Sequence, residues 1–306
     1  MTTNKRTFVY AEGREYISPF MADDMKRATL DYGWTFRQLF SIDPNDIFDD
    51  TKMYHLFPPN SAVILRNLPK NNPTEIAMLT EWLDSHHIVS LNFHATGGLE
   101  ASNDKRFQSI MLKSRPHTSE FVIPTYEVGS KKTVLDLLTS KKISYPFLLK
   151  PSDGSIGKGI RIIKQESDLD SQKRWSNMMA QQFIDSDYDW RVYTVGNQAV
   201  GALRRGGKDQ KPHDFHAYAN GITKSKETDP DVLDAINSIA VGIAKVAGLE
   251  YSGCDIIRDK KTGKYYVLEI NTSATWEGRY NEIIGVDLAT EILKWCDQEI
   301  TRGLGN

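Results

Sequence analysis

The first 95 residues alternate short apolar segments with amphipathic segments that carry helix-start and helix-stop residues. The apolar segments predict strands, and these are Thr7–Tyr10, Ser61–Leu65 and Ile88–Leu91. Ser18 and Pro19 are typical of a helix start and Gly33 of a helix end, so a helix is predicted between them. A second helix is predicted to begin at Asn72-Pro73. This order of elements predicts a small α/β domain over residues 1–95 with a parallel sheet.

Beyond residue 95 the pattern becomes richer in paired strands, which predicts an α+β arrangement in two further units, residues 96–180 and 181–306. The predicted helices are Asn103–Lys113, Val134–Ser140, Ser167–Met179, Asp229–Gly248 and Val286–Ile300. The predicted strands are Tyr145–Lys150, Ile160–Ile163, Met179–Ile184, Asp189–Val195, Gln198–Leu203, Gly253–Arg258 and Tyr265–Asn271. The chain is therefore expected to combine α/β and α+β parts.

The last two of these strands carry the strongest chemical signal in the chain. A polar, glycine-ended turn joins them into a hairpin, and pairing of Arg258 with Lys264 would place Asp255, Glu269 and Asn271 on one face. Carboxylate and amide oxygens without a neighbouring His or Cys suit Mg²⁺ or Mn²⁺ rather than Zn²⁺. The pattern predicts a metal–nucleotide site, and the alternative is a hairpin with one solvated polar face.

A glycine-rich loop joins two other predicted strands. It runs from Lys150 to Gly159 and contains Gly154, Ser155 and Gly157. The loop lacks the residues of a P-loop and no helix follows it, which excludes both common helix-linked phosphate motifs. As a flap between antiparallel strands it can cover phosphates with its amides while Lys150 supplies charge. The alternative is a surface hairpin with a solvated lysine.

Arg204 and Arg205 end a predicted strand. Two adjacent arginines can hold a phosphoryl group during its transfer. The alternative is a solvated basic loop that continues through Lys208 and Lys211.

Composition and charge exclude several classes of protein. The 306 residues are 40% hydrophobic and 25% charged, with a net charge of −2, which is ordinary for a folded globular chain. This balance gives no reason to expect nucleic acid or membrane as a partner. Because no apolar run approaches the roughly 20 residues of a membrane span, we expect a cytoplasmic protein. Cys254 and Cys296 lie among apolar residues and are expected to be buried thiols.

The order of these motifs resembles the ATP-grasp superfamily. It is most similar to the ribosomal-protein-modifying glutamate ligases and related RimK-type carboxylate–amine ligases. The resemblance covers roughly residues 100–302, and residues 1–95 match only as the small α/β domain expected before an ATP-grasp fold. The motifs that carry it are Lys105, Lys150 before the glycine flap, Gln181-Gln182-Phe183-Ile184, Asp189-Trp190-Arg191, Arg204-Arg205, Asp255 and Glu269-Ile270-Asn271.

The resemblance implies a role for each motif. Lys105 and Lys150 would contact the α- and β-phosphates of ATP beneath the flap of Gly154, Ser155 and Gly157. The segment Gln181-Gln182-Phe183-Ile184 would form the hinge against adenine, with Gln182 where the relatives usually have Glu. Asp189 would face the ribose or the phosphates, and Arg204 or Arg205 would steady the transferred phosphoryl group. Asp255, Glu269 and Asn271 would bind two Mg²⁺ ions, with Mn²⁺ as a substitute.

The activity implied is ATP-dependent joining of a carboxylate to an amine through an acyl phosphate. The substrates would be a small carboxylate and an amine, amino-acid or peptide acceptor. A small-molecule kinase and a nucleotide-binding regulatory module remain alternatives, because one fold can serve many functions. Relatives often assemble as dimers or tetramers, which leaves a homo-oligomer open, and no residue of the sequence identifies an interface. The sequence departs from the relatives at Thr272–Gly278 and in the loop 209–221, which includes His213 and His216. We expect both segments to border the carboxylate or acceptor pocket and to alter the choice of substrate, and the alternative is a plain variation of the loops.

Overall fold

The structure is a computed structural model, and it describes residues 5–12, 19–66, 73–98, 101–102, 104–152, 159–206, 223–277 and 279–303. Its strands are β1 (Thr7–Glu12), β2 (Thr35–Leu39), β3 (Ser61–Arg66), β4 (Val89–Leu91), β5 (Thr125–Val128), β6 (Phe147–Pro151), β7 (Arg161–Ile163), β8 (Met178–Gln182), β9 (Tyr188–Val195), β10 (Gln198–Gly206), β11 (Lys224–Lys226), β12 (Tyr251–Arg258) and β13 (Tyr265–Asn271). Its helices are α1 (Pro19–Asp31), α2 (Asp50–Leu56), α3 (Pro73–Ser85), α4 (Lys105–Lys113), α5 (Pro116–Ser119), α6 (Lys131–Thr139), α7 (Pro230–Ala247), α8 (Tyr280–Ile284) and α9 (Leu288–Gly303).

Strands β1 to β4 form a parallel sheet in the order β2-β1-β3-β4. This confirms the parallel α/β arrangement predicted for the start of the chain. β1 and β3 lie in the middle and are buried along their whole length, as continuous apolar runs predict. β2 was not predicted, because its mostly half-buried residues at the sheet edge lack a long apolar run.

The other two sheets are antiparallel. The central sheet has the order β5-β8-β6-β7, and the C-terminal sheet has the order β11-β10-β9-β12-β13. β8 pairs with both β5 and β6, and it spans the predicted boundary at residue 180. The division of the chain at residues 95 and 180 stays a prediction.

The helix predicted over Ser167–Met179 is wrong. Only Glu166–Leu169 forms a short 3-10 helix, and the chain enters β8 at Met178. Met178, Met179 and Ala180 are buried between neighbouring strands, so burial in the sheet outweighs their helix propensity. In contrast, α7 begins at the predicted Asp229 cap and ends at the predicted Gly248.

The C-terminal sheet has two different faces. One face packs against α7 through apolar residues that include Trp190, Val192, Ile256 and Ile270. The other face carries polar side chains and continues into a core shared with the parallel sheet and α9, where Phe8 and Tyr193 belong to one cluster. The parallel sheet is therefore packed against the same part of the molecule that carries the candidate metal ligands.

Both cysteines are free and buried, as predicted. Burial raises the pKa of the Cys254 and Cys296 thiols, which keeps them in the neutral form. Within the described parts of the chain, no helix is both long enough and apolar enough to cross a bilayer.

Candidate functional site

The β12–β13 hairpin has a different register from the one predicted. Arg258 pairs with Tyr265 rather than with Lys264, so the predicted pairing is wrong. An irregularity then follows between Asp255 and Ile256, where Leu268 is the extra residue on β13. A β-bulge of this kind lets two residues on one strand face one on the other.

The bulge brings the carboxylates together. Without it, the register at the turn would set Asp255 opposite Leu268; with it, Asp255 lies directly opposite Glu269. Opposed residues project to the same side, with Cβ atoms about 5 Å apart. The predicted shared face is therefore present, but it depends on an irregularity that the hydrophobic pattern did not show.

Asn271 extends this face by one more pair. It lies opposite Gly253, and its Nδ2 donates to Glu269 Oε1 at 3.3 Å and to the Gly253 carbonyl at 3.4 Å. In this orientation its Oδ1 is available as an acceptor. A Cβ on Gly253 would come within 2.8 Å of the Ala274 Cβ, so glycine is needed for the close packing beside Asn271.

Two arginines on the same face hold Asp255. Arg191 Nε and Nη2 donate to its two carboxylate oxygens at 2.8 and 2.6 Å, and Arg205 Nη2 lies 3.0 Å from Asp255 Oδ2. Burial alone would raise the pKa of Asp255, but the charges of Arg191 and Arg205 outweigh burial and lower it. Asp255 is therefore a carboxylate in a positively charged setting.

Asp189 belongs to the same network. It is buried and accepts two hydrogen bonds from Arg205, at 2.9 and 2.8 Å. The resemblance implies that Asp189 faces the ribose or the phosphates, and that role stays a prediction. In the structure it holds Arg205 in place next to Asp255.

The two adjacent arginines of β10 point to opposite faces, as strand geometry requires. Arg204 donates to Ser225 Oγ at 3.1 Å and lies over the Tyr188 ring at 5.1 Å. Of the two arginines, only Arg205 lies beside Asp255, and a role of either one in holding a phosphoryl group stays a prediction. Sequence reasoning missed Arg191 as a member of the site, although its spacing of two from Asp189 places both on one face.

Two lysines from outside the hairpin approach Glu269, one from α4, which packs against β13, and one from the central sheet. Lys105, at the start of α4, has its Nζ 3.6 Å from Glu269 Oε2. Lys150, on β6, is buried and donates to Gln181 Oε1 at 2.9 Å. Burial first, and then the charge of Lys105, lowers the Lys150 pKa to about 8, while Glu269 opposes the shift. The two cations thus face Glu269 across a cleft.

That cleft lies between the central sheet and the hairpin. Its walls combine these charged groups with apolar side chains, which is the usual character of a small-molecule site. The lining residues include Lys105, Lys150, Gln181, Thr125, Ile123, Met179, Leu268 and Glu269.

The side chains of the predicted hinge residues Gln181 and Gln182 point in different directions. Gln181 points into the cleft, but the side chain of Gln182 is bonded to the main chain of the neighbouring loop, with its Oε1 accepting from Ser144 N at 2.9 Å and its Nε2 donating to Pro146 O at 3.1 Å. The side-chain amide of Gln182 is therefore already paired, and the role of this segment as a hinge against adenine stays a prediction. Phe183 and Ile184 follow β8 and are half-buried.

Some predicted residues lie outside the described ranges. These are Gly154, Ser155 and Gly157 of the flap, and the loop 209–221 with His213 and His216.

The donor set fits a hard cation. In the described ranges, no group of three or more His, Cys, Asp or Glu side chains could hold a metal ion, so the candidate set is two carboxylates and one amide, from Asp255, Glu269 and Asn271. Such oxygen donors suit Mg²⁺ or Mn²⁺, and Mg²⁺ characteristically takes few protein ligands and completes its shell with water and phosphate oxygens. The neighbouring cations Arg191, Arg205, Lys105 and Lys150 are appropriate for that phosphate.

Comparison with known proteins gives a consistent result. The family model described as the RimK-like ATP-grasp domain matches residues 101–296. The "Probable alpha-L-glutamate ligase" of Haemophilus influenzae (strain ATCC 51907 / DSM 11121 / KW20 / Rd) is 30% identical over 206 residues, covering 65% of this chain and 64% of that protein. The protein of the same description from Mannheimia succiniciproducens is 28% identical over 256 residues, covering 80% and 79%. The match to the first relative thus spans less than two thirds of its length.

Solved structures agree on the fold. The ATP-grasp ligase PsnB, complexed with minimal precursor, Mg and ADP, aligns with a TM-score of 0.68 at 18% identity, covering 96% of this chain and 98% of PsnB. D-alanine–D-alanine ligase from Bacillus anthracis, complexed with ATP, aligns with a TM-score of 0.62 at 14% identity, covering 98% of both chains. These likenesses confirm the predicted ATP-grasp fold.

Proposed function

Because the chain belongs to the RimK-like ATP-grasp family, we propose that it is an ATP-dependent carboxylate–amine ligase. It would form an amide or peptide bond through an acyl phosphate and release ADP and phosphate. The observation that carries this proposal is the meeting of Lys105 and Lys150 with the carboxylate face of the hairpin in one cleft, where Lys105 lies 3.6 Å from Glu269. A bound polyanion would balance the positive charges of the lysines, and a hard cation would balance the negative charges of the carboxylates.

The reaction begins with an unreactive carboxylate. Transfer of the γ-phosphoryl group of ATP to a carboxylate oxygen forms an acyl phosphate and ADP. The amine then attacks the carbonyl carbon, and the tetrahedral intermediate expels phosphate while the nitrogen loses a proton. No covalent bond to the protein forms, so the site needs positioned charges and exclusion of water rather than a nucleophile.

The chain supplies these charges from fixed positions. Lys150 can meet a phosphate with little reorganisation, because the protein has already removed most of its water. Arg205 is held by Asp189, which orients its guanidinium toward Asp255. Asp255, Glu269 and Asn271 would hold Mg²⁺, two ions in the fuller form of the proposal, and the metal would neutralise charge on the phosphates. Arg191, bound to Asp255, would fix the direction of that ligand.

The substrates are proposed from the neighbours in the family. The relatives are described as probable glutamate ligases and PsnB was complexed with a precursor, which supports a carboxylate donor and an amino-acid or peptide acceptor. The segment that follows Asn271 departs from the pattern of the relatives, so the acceptor is proposed to differ from theirs.

Trapping of the acyl phosphate tests the activity. The protein is incubated with Mg·ATP, a panel of carboxylic acids and amino acids, and hydroxylamine, and products are read by mass spectrometry. A hydroxamate formed with ADP from one carboxylate is the expected result and names the donor. A stable phosphate ester without hydroxamate would instead establish a kinase, and the absence of turnover with every carboxylate and acceptor offered would count against a ligase.

Magnesium dependence provides the control. Glu269→Ala removes a proposed metal ligand and should abolish hydroxamate formation. Arg204→Ala removes an arginine on the opposite face of the same sheet, and hydroxamate formation should continue.

A further inference from the structure

The segment 272–276, which follows the candidate ligand Asn271, is held by an unusual series of hydrogen bonds. Four successive carbonyl groups, those of residues 272 to 275, each accept from a side chain of another part of the chain. The bonds are Asn92 Nδ2 to Thr272 O at 2.6 Å, Arg66 Nη2 to Ser273 O at 2.9 Å, Tyr251 Oη to Ala274 O at 2.9 Å and Tyr193 Oη to Thr275 O at 3.0 Å. Trp276 Nε1 then donates to Asp24 Oδ2 at 2.8 Å.

The donors are buried, so water cannot replace the bonds if one is lost. Asn92, Tyr193 and Tyr251 are fully buried and Arg66 is 2% exposed. Breaking a buried hydrogen bond by removing one partner leaves the other unsatisfied, which is unfavourable. Burial also raises the pKa of both tyrosine hydroxyls, which keeps them as donors.

The first two donors belong to the parallel sheet rather than to the sheet that carries the site. Arg66 is the last residue of β3 and also donates to Tyr10 Oη at 2.8 Å, with Glu12 Oε1 3.3 Å away. Asn92 follows β4 directly. Both donors therefore project from the carboxyl ends of parallel strands toward the end of β13.

The side chain of Asn92 is fixed by further buried hydrogen bonds. Its side chain also donates to Tyr251 O at 2.8 Å and accepts from Tyr251 N at 3.0 Å, which pairs all of its amide groups. Its backbone adopts a left-handed conformation with φ of 67°, which costs energy in a residue other than glycine. The surrounding contacts fix this conformation, which aims the amide at Thr272 O.

We propose that Arg66 and Asn92 are positioning residues for the metal–nucleotide site, and that they act by fixing the segment that follows Asn271. The parallel sheet would then set the direction of Asn271 without contacting the metal or the nucleotide. This inference rests on the proposed function of the site. Partners that orient metal ligands typically contribute 10- to 100-fold to metal affinity.

The test is a binding measurement on the full chain. Calorimetric titration with ADP at a series of Mg²⁺ concentrations gives the Mg²⁺ concentration for half-maximal tightening of ADP binding. Asn92→Gly removes the amide while relieving the left-handed backbone, and Arg66→Lys keeps a positive charge beside Glu12 but not the fork that reaches Ser273 O. Each variant should raise the half-maximal Mg²⁺ concentration about tenfold or more, while ADP affinity without Mg²⁺ stays within twofold.

A matched control lies close to Asn92. Thr96 Oγ1 donates to Val246 O at 2.9 Å, a similar side-chain tie to the C-terminal part that does not reach the segment. Thr96→Val should leave the Mg²⁺ requirement unchanged. Should Asn92→Gly or Arg66→Lys fail to fold, Tyr251→Phe, which removes only the donor to Ala274 O, should give a smaller increase.

The outcomes separate the inference from the proposed function. An unchanged Mg²⁺ requirement in the folded variants would overturn the positioning role and leave the ligase proposal in place. ADP binding that does not respond to Mg²⁺ in the unaltered protein would overturn the proposed site together with the inference. If Thr96→Val raised the half-maximal Mg²⁺ concentration equally, the effect would come from general loosening of the contacts with the C-terminal part. That result would contradict a specific role of Arg66 and Asn92.

Discussion

Burial of the charged Lys150 side chain in the cleft is expected to lower the stability of the free protein. It is 7% exposed, and its Nζ donates to Gln181 Oε1 at 2.9 Å. Its pKa falls from 10.5 to about 8. A shift of one pKa unit corresponds to about 1.36 kcal/mol, so the burial of this charge costs about 3 kcal/mol at neutral pH.

The sign of the pH dependence follows from the same values. Between pH 8 and 10.5 the unfolded chain holds the lysine proton that the folded protein has lost, and stability rises with pH wherever the unfolded state binds more protons. The cost is therefore present in full below pH 8 and disappears as the pH rises through this window. Lys150→Met removes the cost at every pH.

We therefore expect Lys150→Met to be more stable than the native protein at pH 7. Loss of the hydrogen bond to Gln181 offsets about 1 kcal/mol, which leaves a gain of about 2 kcal/mol. The gain should fall to zero or below by pH 10.5, while ADP binding in the presence of Mg²⁺ is weakened at pH 7.

Urea unfolding followed by tryptophan fluorescence, repeated from pH 7 to 10.5, measures this difference. Lys132→Met is the control, because that side chain is 83% exposed and its removal should change stability by less than about 0.5 kcal/mol at any pH. A stability gain for Lys150→Met that does not vary with pH, or no gain at pH 7, would refute the assignment of a buried charge to Lys150.

Three further predictions concern the charges around the cleft. Glu269→Gln should raise the Mg²⁺ concentration needed for turnover at least tenfold, and an unchanged requirement would remove Glu269 from the metal site. Arg205→Lys should lower kcat by about 100-fold or more, whereas Arg204→Lys should change it by less than threefold; equal effects would contradict the assignment of the two arginines to opposite faces. Gln181→Glu places a carboxylate beside Lys150, so the pKa of Lys150 should rise. Nucleotide binding, which should weaken when Lys150 loses its proton, should then weaken at a higher pH than in the native protein. Calorimetry that finds the same pH dependence in both proteins would argue against contact between the two side chains.

The sequence leaves a homo-oligomer open, and the oligomeric state is measured separately. Sedimentation equilibrium of the full chain gives its mass in solution, and the mass of a monomer at every concentration would exclude a homo-oligomer.

The local chemistry of the site was predictable from the chain alone. The spacing of Glu269 and Asn271 on an apolar strand, and the polar turn before them, identified a hairpin with oxygen ligands on one face. The caps of α7 were also found, because Asp229-Pro230 and Gly248 act through backbone geometry within one turn of the helix. The helix expected at Ser167–Met179 failed because its apolar residues are used by a sheet whose partners lie elsewhere in the sequence.

The assembly of the site depended on contacts that no local pattern records. The bulge at Leu268 arises from pairing with β12 and decides that Asp255 meets Glu269. The choice of Arg205 over Arg204 follows from which of them lies on the sheet face that carries Asp189 and Asp255. Arg66 and Asn92 reach the segment after Asn271 across separations of 207 and 180 residues.

The difference between the features that the sequence predicted and those that it did not has a physical reason. Propensity, capping and alternation act over a few residues, so the sequence by itself determined where most strands and helices lie and which residue types could bind a metal and phosphates. Register, the face that a strand presents and the partners of a buried polar group depend on how distant strands pack. Only the tertiary structure could decide those features, and they turn separate motifs into one candidate site.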